Sequence, residues 1–479
     1  MSLSHVSIPD AGASPPPGPP TPPRTARPFF LRLHFYAGIL IAPFLLIATI
    51  SGGLYAVAPT LEQIVYRDYL QVDTPGDPRP VSEQIAAAAA ERPDLTVSAV
   101  QPAAEPGDTT RVLFDDPSLG DSERLSVFVD PATAQPIGEL TVYGSSGALP
   151  LRTWISELHR HLHLGEPGRI YSELAASWLW LVALGGLYLW FDRRRRSPKK
   201  TSILAVDRTT KGRNRTVEWH GVVGLWIATG LLFLSATGLM WSAYAGANVA
   251  EVRSALSWQT PTVATALGGA GSAADEHAGH GSHGGAATST GTPRVDEVDT
   301  ALASARGAGV DGPVEVSIPS DDATAFTVAE IRRPWVMSND SVAVDGATGQ
   351  ITDASWFADW PLPAKLTAWG IQLHMGMLFG IVNQLVLLAL AVALATVIVR
   401  GYVLWWRRRP TRGDRIVGRA PARGAVRRLH PAAVVGLVIG AIAIGWFVPL
   451  LGISLVVFLV VDAAVGLYRR RTAGGTHVS

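Results

Sequence analysis

The sequence predicts a multi-pass α-helical membrane protein of about six spans, with a duplicated, pseudo-twofold core and two small α+β domains outside the membrane. Three observations predict it. Hydrophobic residues fill 48% of the 479 positions and charged ones only 16%, and the apolar residues gather in runs of about 18 or more, enough to cross a bilayer. Basic residues concentrate between those runs: 193–215 carries ten Lys/Arg against one acid, and 407–428 carries nine Arg against one Asp. The chain also repeats itself. Slid by 215 residues, Trp154 falls on Trp369, Leu158 on Leu373, His159 on His374, Gly165 on Gly380, Gly186 on Gly401 and Trp190 on Trp405. An offset of 186 pairs His34 with His220, Gly38 with Gly224, Gly52 with Gly238 and Tyr55 with Trp241. Periods this long indicate repeated domains, not a solenoid.

Taken in order, residues 1–27 are Pro-, Ser- and Ala-rich without apolar periodicity and read as a disordered cytoplasmic tail. The first span covers 28–58. Its apolar run exceeds the 7–15 residues of a signal peptide, and its partner near 220 lies deep in the chain. Residues 59–152 open with a helical pattern, VSEQIAAAAAERP, and continue as alternating strands. Fifteen acids and five Arg in 62–139 suit an outside domain. A second span with an outer extension, 154–192, leads to the basic loop 193–217, which the positive-inside rule keeps in the cytoplasm. The third span is 218–243. An outer insertion, 244–293, contains DEHAGHGSHGG, and the second outer domain, 294–366, repeats the helix-then-strands order of the first. The fourth span, 369–406, precedes the basic loop 407–430. The apolar stretch within 431–468 is too long for one span at about 1.5 Å per residue, so Pro449 and Gly452 divide it into a hairpin. Residues 469–479 form a cytoplasmic tail.

The near-neutral net charge of +1 conceals this asymmetry and gives no reason to expect nucleic acid as a partner. Absence of cysteine excludes disulfides, thiolate zinc sites, Cys-ligated iron–sulfur clusters and covalent c-type haem attachment.

The repeat gives four histidines chemical interest. His34 and His220 stand at the cytoplasmic start of outgoing spans, His159 and His374 at the outer start of ingoing ones. Ionisable groups in spans are costly and usually mark function. Repeats running in the same direction are related by an axis along the membrane normal, so each pair shares a depth. Two neutral imidazoles facing each other suit a metal, and bis-imidazole haem suits an apolar bundle and electron transfer. Gly38, Gly52, Gly53, Gly165, Gly224, Gly238 and Gly380 would let helices approach or leave room for a flat ring. His161 and His163 have no repeat partner. His163, four residues beyond His159, is an alternative ligand. A straight helix from His374 to Trp405 would run about 46 Å and lift His374 to the outer surface, a tension with that pairing.

These residues resemble the PepSY-associated transmembrane family, the iron-regulated membrane proteins. The motifs are RLHFYAGI at 32–39, ELHRHLHLGEPGR at 157–169, GGLYLWFDRRRR at 185–196, WHGVVGLW at 219–226, SATGLMW at 235–241, LHMGMLFG at 373–380 and GYVLWWRRRP at 401–410. The resemblance implies PepSY-type outer domains and a bacterial cytoplasmic membrane location. It also implies, as in some members that are haem-b ferric-siderophore reductases, a role for His34, His159, His220 and His374 in holding haem b. The expected function is a transmembrane electron carrier acting on a ferric chelate outside. Neither basic loop is long enough for a flavin or nicotinamide domain, so the electron donor is expected to be quinol or a separate reductase. Two alternatives stand beside it: copper, zinc or nickel handling by His277, His280 and His283 in the insertion, and PepSY-type regulation of proteases or other partner proteins.

Overall fold

A computed structural model describes residues 26–197, 202–268, 291–408, 421 and 429–474. The first apolar stretch forms two helices, α1 (Arg27–Leu40) and α2 (Ala42–Val65). Pro43, in the first turn of α2, has no amide hydrogen to donate, which suits a helix start. The span is therefore α2, and it runs past the expected end at 58, through Pro59, because Leu61, Ile64 and Val65 keep the apolar character going. Short α3 (Arg67–Leu70) follows. The first outer segment comprises α4 (Val81–Glu91) and strands β1 (Thr96–Gln101), β2 (Thr110–Asp115), β3 (Glu123–Asp130) and β4 (Gln135–Tyr143). The chain re-enters through α5 (Pro150–His161) and α6 (Glu166–Arg195), and leaves through α7 (Gly212–Leu239) and α8 (Tyr244–Ala255). The second outer segment comprises α9 (Val298–Gly307), β5 (Val314–Ser317), β6 (Phe326–Glu330), β7 (Ser341–Val344) and β8 (Ile351–Ser355). Then come α10 (Leu362–His374), α11 (Gly380–Trp406), α12 (Pro431–Phe447) and α13 (Pro449–Gly474).

Among the described residues, α2, α6, α7, α11 and residues 449–468 of α13 are long and apolar enough to cross a membrane, which makes this a multi-pass membrane protein. The hairpin expected from the sequence breaks at Val448, beside Pro449. Its first arm, α12, has 17 residues and reaches about 25 Å, short of the roughly 30 Å hydrocarbon core. The other four spans close a bundle in which α2 packs on α11, α11 on α7, α7 on α6 and α6 on α2.

The sequence expects two separate outer domains, each one helix on a small sheet. The strands instead join in one eight-stranded antiparallel sheet, in the order β4-β3-β2-β1-β5-β6-β7-β8. The junction is short, with Ala99 opposite Ser317 and Val100 opposite Val316. Side chains reinforce it: Arg124 grips Glu315 with two bonds of 3.0 and 3.1 Å, and Gln101 donates to the same carboxylate at 2.7 Å. The bidentate geometry is the strong form of such a pair. One core lies beneath both halves, where Ile85 and Ala88 of α4 and Ala301 and Ala305 of α9 meet Val100, Phe114, Val316 and Phe326 of the sheet. Asp299 of α9 accepts from the backbone amides of Val81 and Ser82 at 2.8 and 3.1 Å, satisfying the first turn of α4 from the other half of the chain. The opposite sheet face buries Leu113, Phe128 and Leu149 against Tyr66, Tyr69 and Leu70, which seats the sheet on the end of α2.

Candidate haem-ligand histidines in the bundle

All four histidines singled out from the sequence are half-buried in the helical region, and each makes the same two kinds of contact. At the end of the bundle far from the sheet, His34 on α1 and His220 on α7 stand with ring centres 6.1 Å apart and planes at 79°. His34 Nδ1 lies 3.1 Å from the Val182 carbonyl of α6, and His220 Nδ1 lies 3.0 Å from the Val397 carbonyl of α11. A carbonyl only accepts, so Nδ1 carries the hydrogen in each ring. As a neutral imidazole, each then presents an unprotonated Nε2.

His159 and His374 sit toward the sheet end, and the route by which they arrive differs from expectation. Neither begins a span. His159 is near the end of α5 and His374 ends α10; the spans α6 and α11 start after a break. Leu162, His163 and Gly165 take positive φ in the first break, Gly376 and Gly380 in the second. No straight helix joins His374 to Trp405, so the 46 Å argument for placing His374 at the outer surface falls. The breaks turn both imidazoles back against the spans. His159 Nδ1 is 3.0 Å from Ser51 Oγ on α2, and His374 Nδ1 is 2.6 Å from Thr237 Oγ1 on α7. Both hydroxyls already face carbonyls of their own helix, Ser51 at 3.0 Å from Ile47 and Thr237 at 2.8 Å from Phe233. Their single hydrogen is committed there, so each accepts from Nδ1 and again leaves Nε2 free.

Glycines supply the second contact. A Cβ placed on Gly52 would meet His159 Cε1 at 3.0 Å, and one on Gly186 would meet His34 Cε1 at 3.1 Å. The corresponding distances are 3.8 Å from Gly238 to His374 and 3.7 Å from Gly401 to His220. Gly38 and Gly224 do something else. Each stands four residues beyond His34 or His220, on the same helix face, and a Cβ there would meet nothing within 4 Å.

This arrangement can hold a metal between two neutral imidazoles. Two rings bonded to one ion at about 2 Å each, a usual metal–imidazole distance, have centres about 6 Å apart, as His34 and His220 do. Metal-bound histidines commonly give their other ring hydrogen to a carbonyl. Open space beside Gly38 and Gly224 suits a flat macrocycle better than a bare ion. Among the described residues no group of three or more His, Asp or Glu is placed to hold a metal ion, so the pairs do not extend into a closed protein cage.

The remaining sequence candidates separate clearly. His163 is exposed, with Nδ1 3.3 Å from Glu157 and its ring 4.9 Å from that of Trp154. His161 stands at 6.1 Å from His163 and contacts no other candidate among the ring pairs described. His277, His280 and His283 lie outside the described residues. Sequence reasoning passed over Ser51, Thr237, Val182 and Val397, although each stands at the repeat offset from a partner: 186 for the hydroxyls and 215 for the carbonyls.

The match to a family model decides the kinship, since the PepSY-associated TM region is recognised over residues 31–408, most of the chain. The chain belongs to this family. Its match runs from α1, which carries His34, past His374 at the end of α10 to the end of α11, and leaves out the α12–α13 hairpin. None of the curated proteins compared with this PepSY-associated TM chain matches it.

Proposed function

We propose that this protein is a membrane-embedded haem b electron carrier, in which His34 with His220 and His159 with His374 would hold the iron and haem would supply the one-electron chemistry. The observation that carries the reading is the common placement of the four rings: each Nδ1 lies within 3.1 Å of a carbonyl or hydroxyl oxygen, which leaves each Nε2 to serve a metal. We further infer that the bundle and sheet are two copies of one unit about an axis along the membrane normal. Seats recurring at the repeat offsets, Ser51/Thr237, Gly52/Gly238, Val182/Val397 and Gly186/Gly401, support this.

In the proposed orientation the Arg-rich ends of α6 and α11 are cytoplasmic and the sheet is outside, in a bacterial cytoplasmic membrane. The chain positions the group and excludes water. The two centres stand apart by up to about 25 Å, the rise of α7 between His220 and Thr237. Quinol or a separate reductase supplies electrons at the far end. One quinol oxidised releases two electrons and two protons, and the electrons reduce two ferric ions of a chelate at the sheet end.

Purified protein should give the reduced-minus-oxidised spectrum of low-spin b haem. His34→Ala and His220→Ala should each remove one and the same part of it, and His159→Ala and His374→Ala the other part. A colourless preparation expressed with ample haem sinks the proposal. Loss of the second part in His163→Ala instead of His159→Ala would move the ligand by one helical turn.

A further inference from the structure

The helix that carries His34 is broken, and the one that carries His220 is not. At the 186 offset α1 and α2 together correspond to α7, which runs without interruption from Gly212 to Leu239. Pro43 falls on Thr229 and Ile39 on Leu225. In a continuous helix the amide of residue 43 closes on the carbonyl of residue 39. Proline has no amide hydrogen, so the Ile39 carbonyl loses that donor. Its neighbours Ala37, Ile41 and Ala42 are buried in one apolar cluster, where little water can stand in and an unmade bond is costly.

Tyr402 of α11 supplies a donor. Its hydroxyl lies 3.1 Å from the Ile39 carbonyl, and since a carbonyl only accepts, the hydroxyl donates. Tyr402 also packs against the cluster that holds Ala37, Ile41 and Ala42. At the 215 offset it corresponds to Leu187, which has no hydroxyl. Two departures from the repeat, a proline on one helix and a tyrosine on another, therefore meet at one bond. A tyrosine unrelated to the break could stand anywhere along α11.

The bond joins the helices of the far-side pair. Ile39 lies just beyond His34 on α1. Tyr402 follows Gly401, the glycine beside His220, and comes shortly after Val397, whose carbonyl stands 3.0 Å from His220 Nδ1. About one and a half turns of α11 thus hold His220 and grip α1. On the other side of His34, Arg32 pairs with Asp462 of α13 at 2.6 Å. The 186 partner of Arg32 is Glu218, which pairs with Arg194 of α6 instead, also at 2.6 Å. These two anchors bracket His34, and the Tyr402 bond is the one that runs to the helix positioning its partner.

We propose that Tyr402 is a positioning residue for the His34–His220 pair: by filling the acceptor that Pro43 leaves open, its hydroxyl fixes the direction of α1 and keeps the two ring centres 6.1 Å apart. The consequence for haem rests on the proposed function, since those two rings would hold one haem. The bond itself does not.

The test compares purified full-length wild type, Tyr402→Phe, Pro43→Ala and the double variant. Phenylalanine keeps the packing ring and removes the hydroxyl, while alanine at 43 returns the amide that Ile39 lacks. Tyr402→Phe should weaken retention of the haem lost in His34→Ala roughly two- to tenfold, the net worth of one hydrogen bond. It should also shift the midpoint potential of that haem and leave the other haem unmoved. In the Pro43→Ala background the same substitution should weaken retention less than about twofold, because the two changes act on one bond. Folded Tyr402→Phe protein with an unmoved His34-side haem, equal weakening of both haems, or the same loss in either background overturns the proposal. Hydrogen exchange of the α1 amides in haem-free protein gives a readout that needs no pigment. Tyr402→Phe should speed that exchange, and the double variant should match Pro43→Ala. Colourless protein that shows this pattern overturns the electron carrier and leaves the positioning bond standing; colourless protein without it overturns both.

Discussion

The two halves of the bundle seat their histidines on equivalent glycines but at different pressure. In the first half the seats are tight, since a Cβ added at Gly52 or Gly186 would stand 3.0 or 3.1 Å from the imidazole carbon; in the second, one added at Gly238 or Gly401 would stand at 3.8 or 3.7 Å. Above the seats the difference widens. Tyr55 lies nearly parallel to His159 with ring centres 6.4 Å apart, whereas His374 meets the edge of Trp241, ring centres 5.3 Å apart. The hydrogen-bond partners of the rings did not diverge: a span hydroxyl for each sheet-side histidine, a span carbonyl for each far-side one. The contrast teaches that the state of each ring, Nδ1 satisfied and Nε2 free, is the invariant of the scaffold, and that packing and charge are where the halves are free to differ.

The largest expected effects test the invariant. Ser51→Ala and Thr237→Val both leave an imidazole hydrogen without its acceptor, and outer partners of this kind are typically worth 10–100-fold in retention of the metal group. Haem competition assays should show losses of similar size in the two variants. A loss in one alone would break the equivalence of the seats. The tight-and-loose contrast comes next. Gly52→Ala and Gly186→Ala press on an imidazole and should cost about 1–3 kcal/mol through overpacking, read as lower thermal stability and reduced pigment. Gly238→Ala and Gly401→Ala have room at ordinary contact distance and should retain their pigment. Equal damage in all four would erase the difference between halves.

The outer segments allow a finer comparison, since both have the same turn before the last strand of their half. Asp130 accepts from the Ala132 amide at 2.9 Å and Asp345 from the Ala347 amide at 3.1 Å. Both turns need a left-handed residue, which is Ala134 at φ 57° in one and Gly349 at φ 71° in the other. Ala134→Gly should therefore stabilise the first half by roughly 0.5–1 kcal/mol, the left-handed penalty of about 1–2 kcal/mol less the added chain entropy of glycine. Thermal unfolding of the outer segments measures it, and no gain would show that the first turn has relaxed around its alanine. The smallest effect is one of pH. The Thr348 hydroxyl, donating to Asp345 at 2.7 Å, holds that carboxyl below the usual carboxylate range. Its contribution is present above the ordinary pKa of about 3.9 and is lost as pH falls through the depressed folded value. Asp345→Asn should flatten the acid end of the stability profile, and an unchanged profile would remove Asp345 from the account.

Much of the site was legible because residues recur at two fixed offsets, which lets the sequence be compared with itself. His34, His159, His220 and His374 emerge from two offsets without any contact being known. Ser51 and Thr237 share an offset too, but a serine matched with a threonine among many apolar coincidences has nothing to raise it above background. Helix breaks were less legible. Pro43 marks a helix start only once the register of α1 is known, and the turn at Gly376 looks, in sequence, like one small residue within an apolar run. The β1–β5 junction was hidden for another reason: hydrophobic alternation tells which face of a strand is covered but not which strand lies at its edge.

That junction also sets a timetable. Strand β1 ends at Gln101 and its partner β5 begins at Val314, so at about 5–20 residues per second of synthesis the second strand follows the first by roughly 10–40 s. Throughout that interval the first four strands present β1 as a bare edge, the feature most prone to pair with the wrong chain. Asp299, which completes the start of α4, arrives just as late. The first outer segment thus leaves the ribosome with an open edge and an uncapped helix, and two further spans, α6 and α7, must be inserted before either is closed.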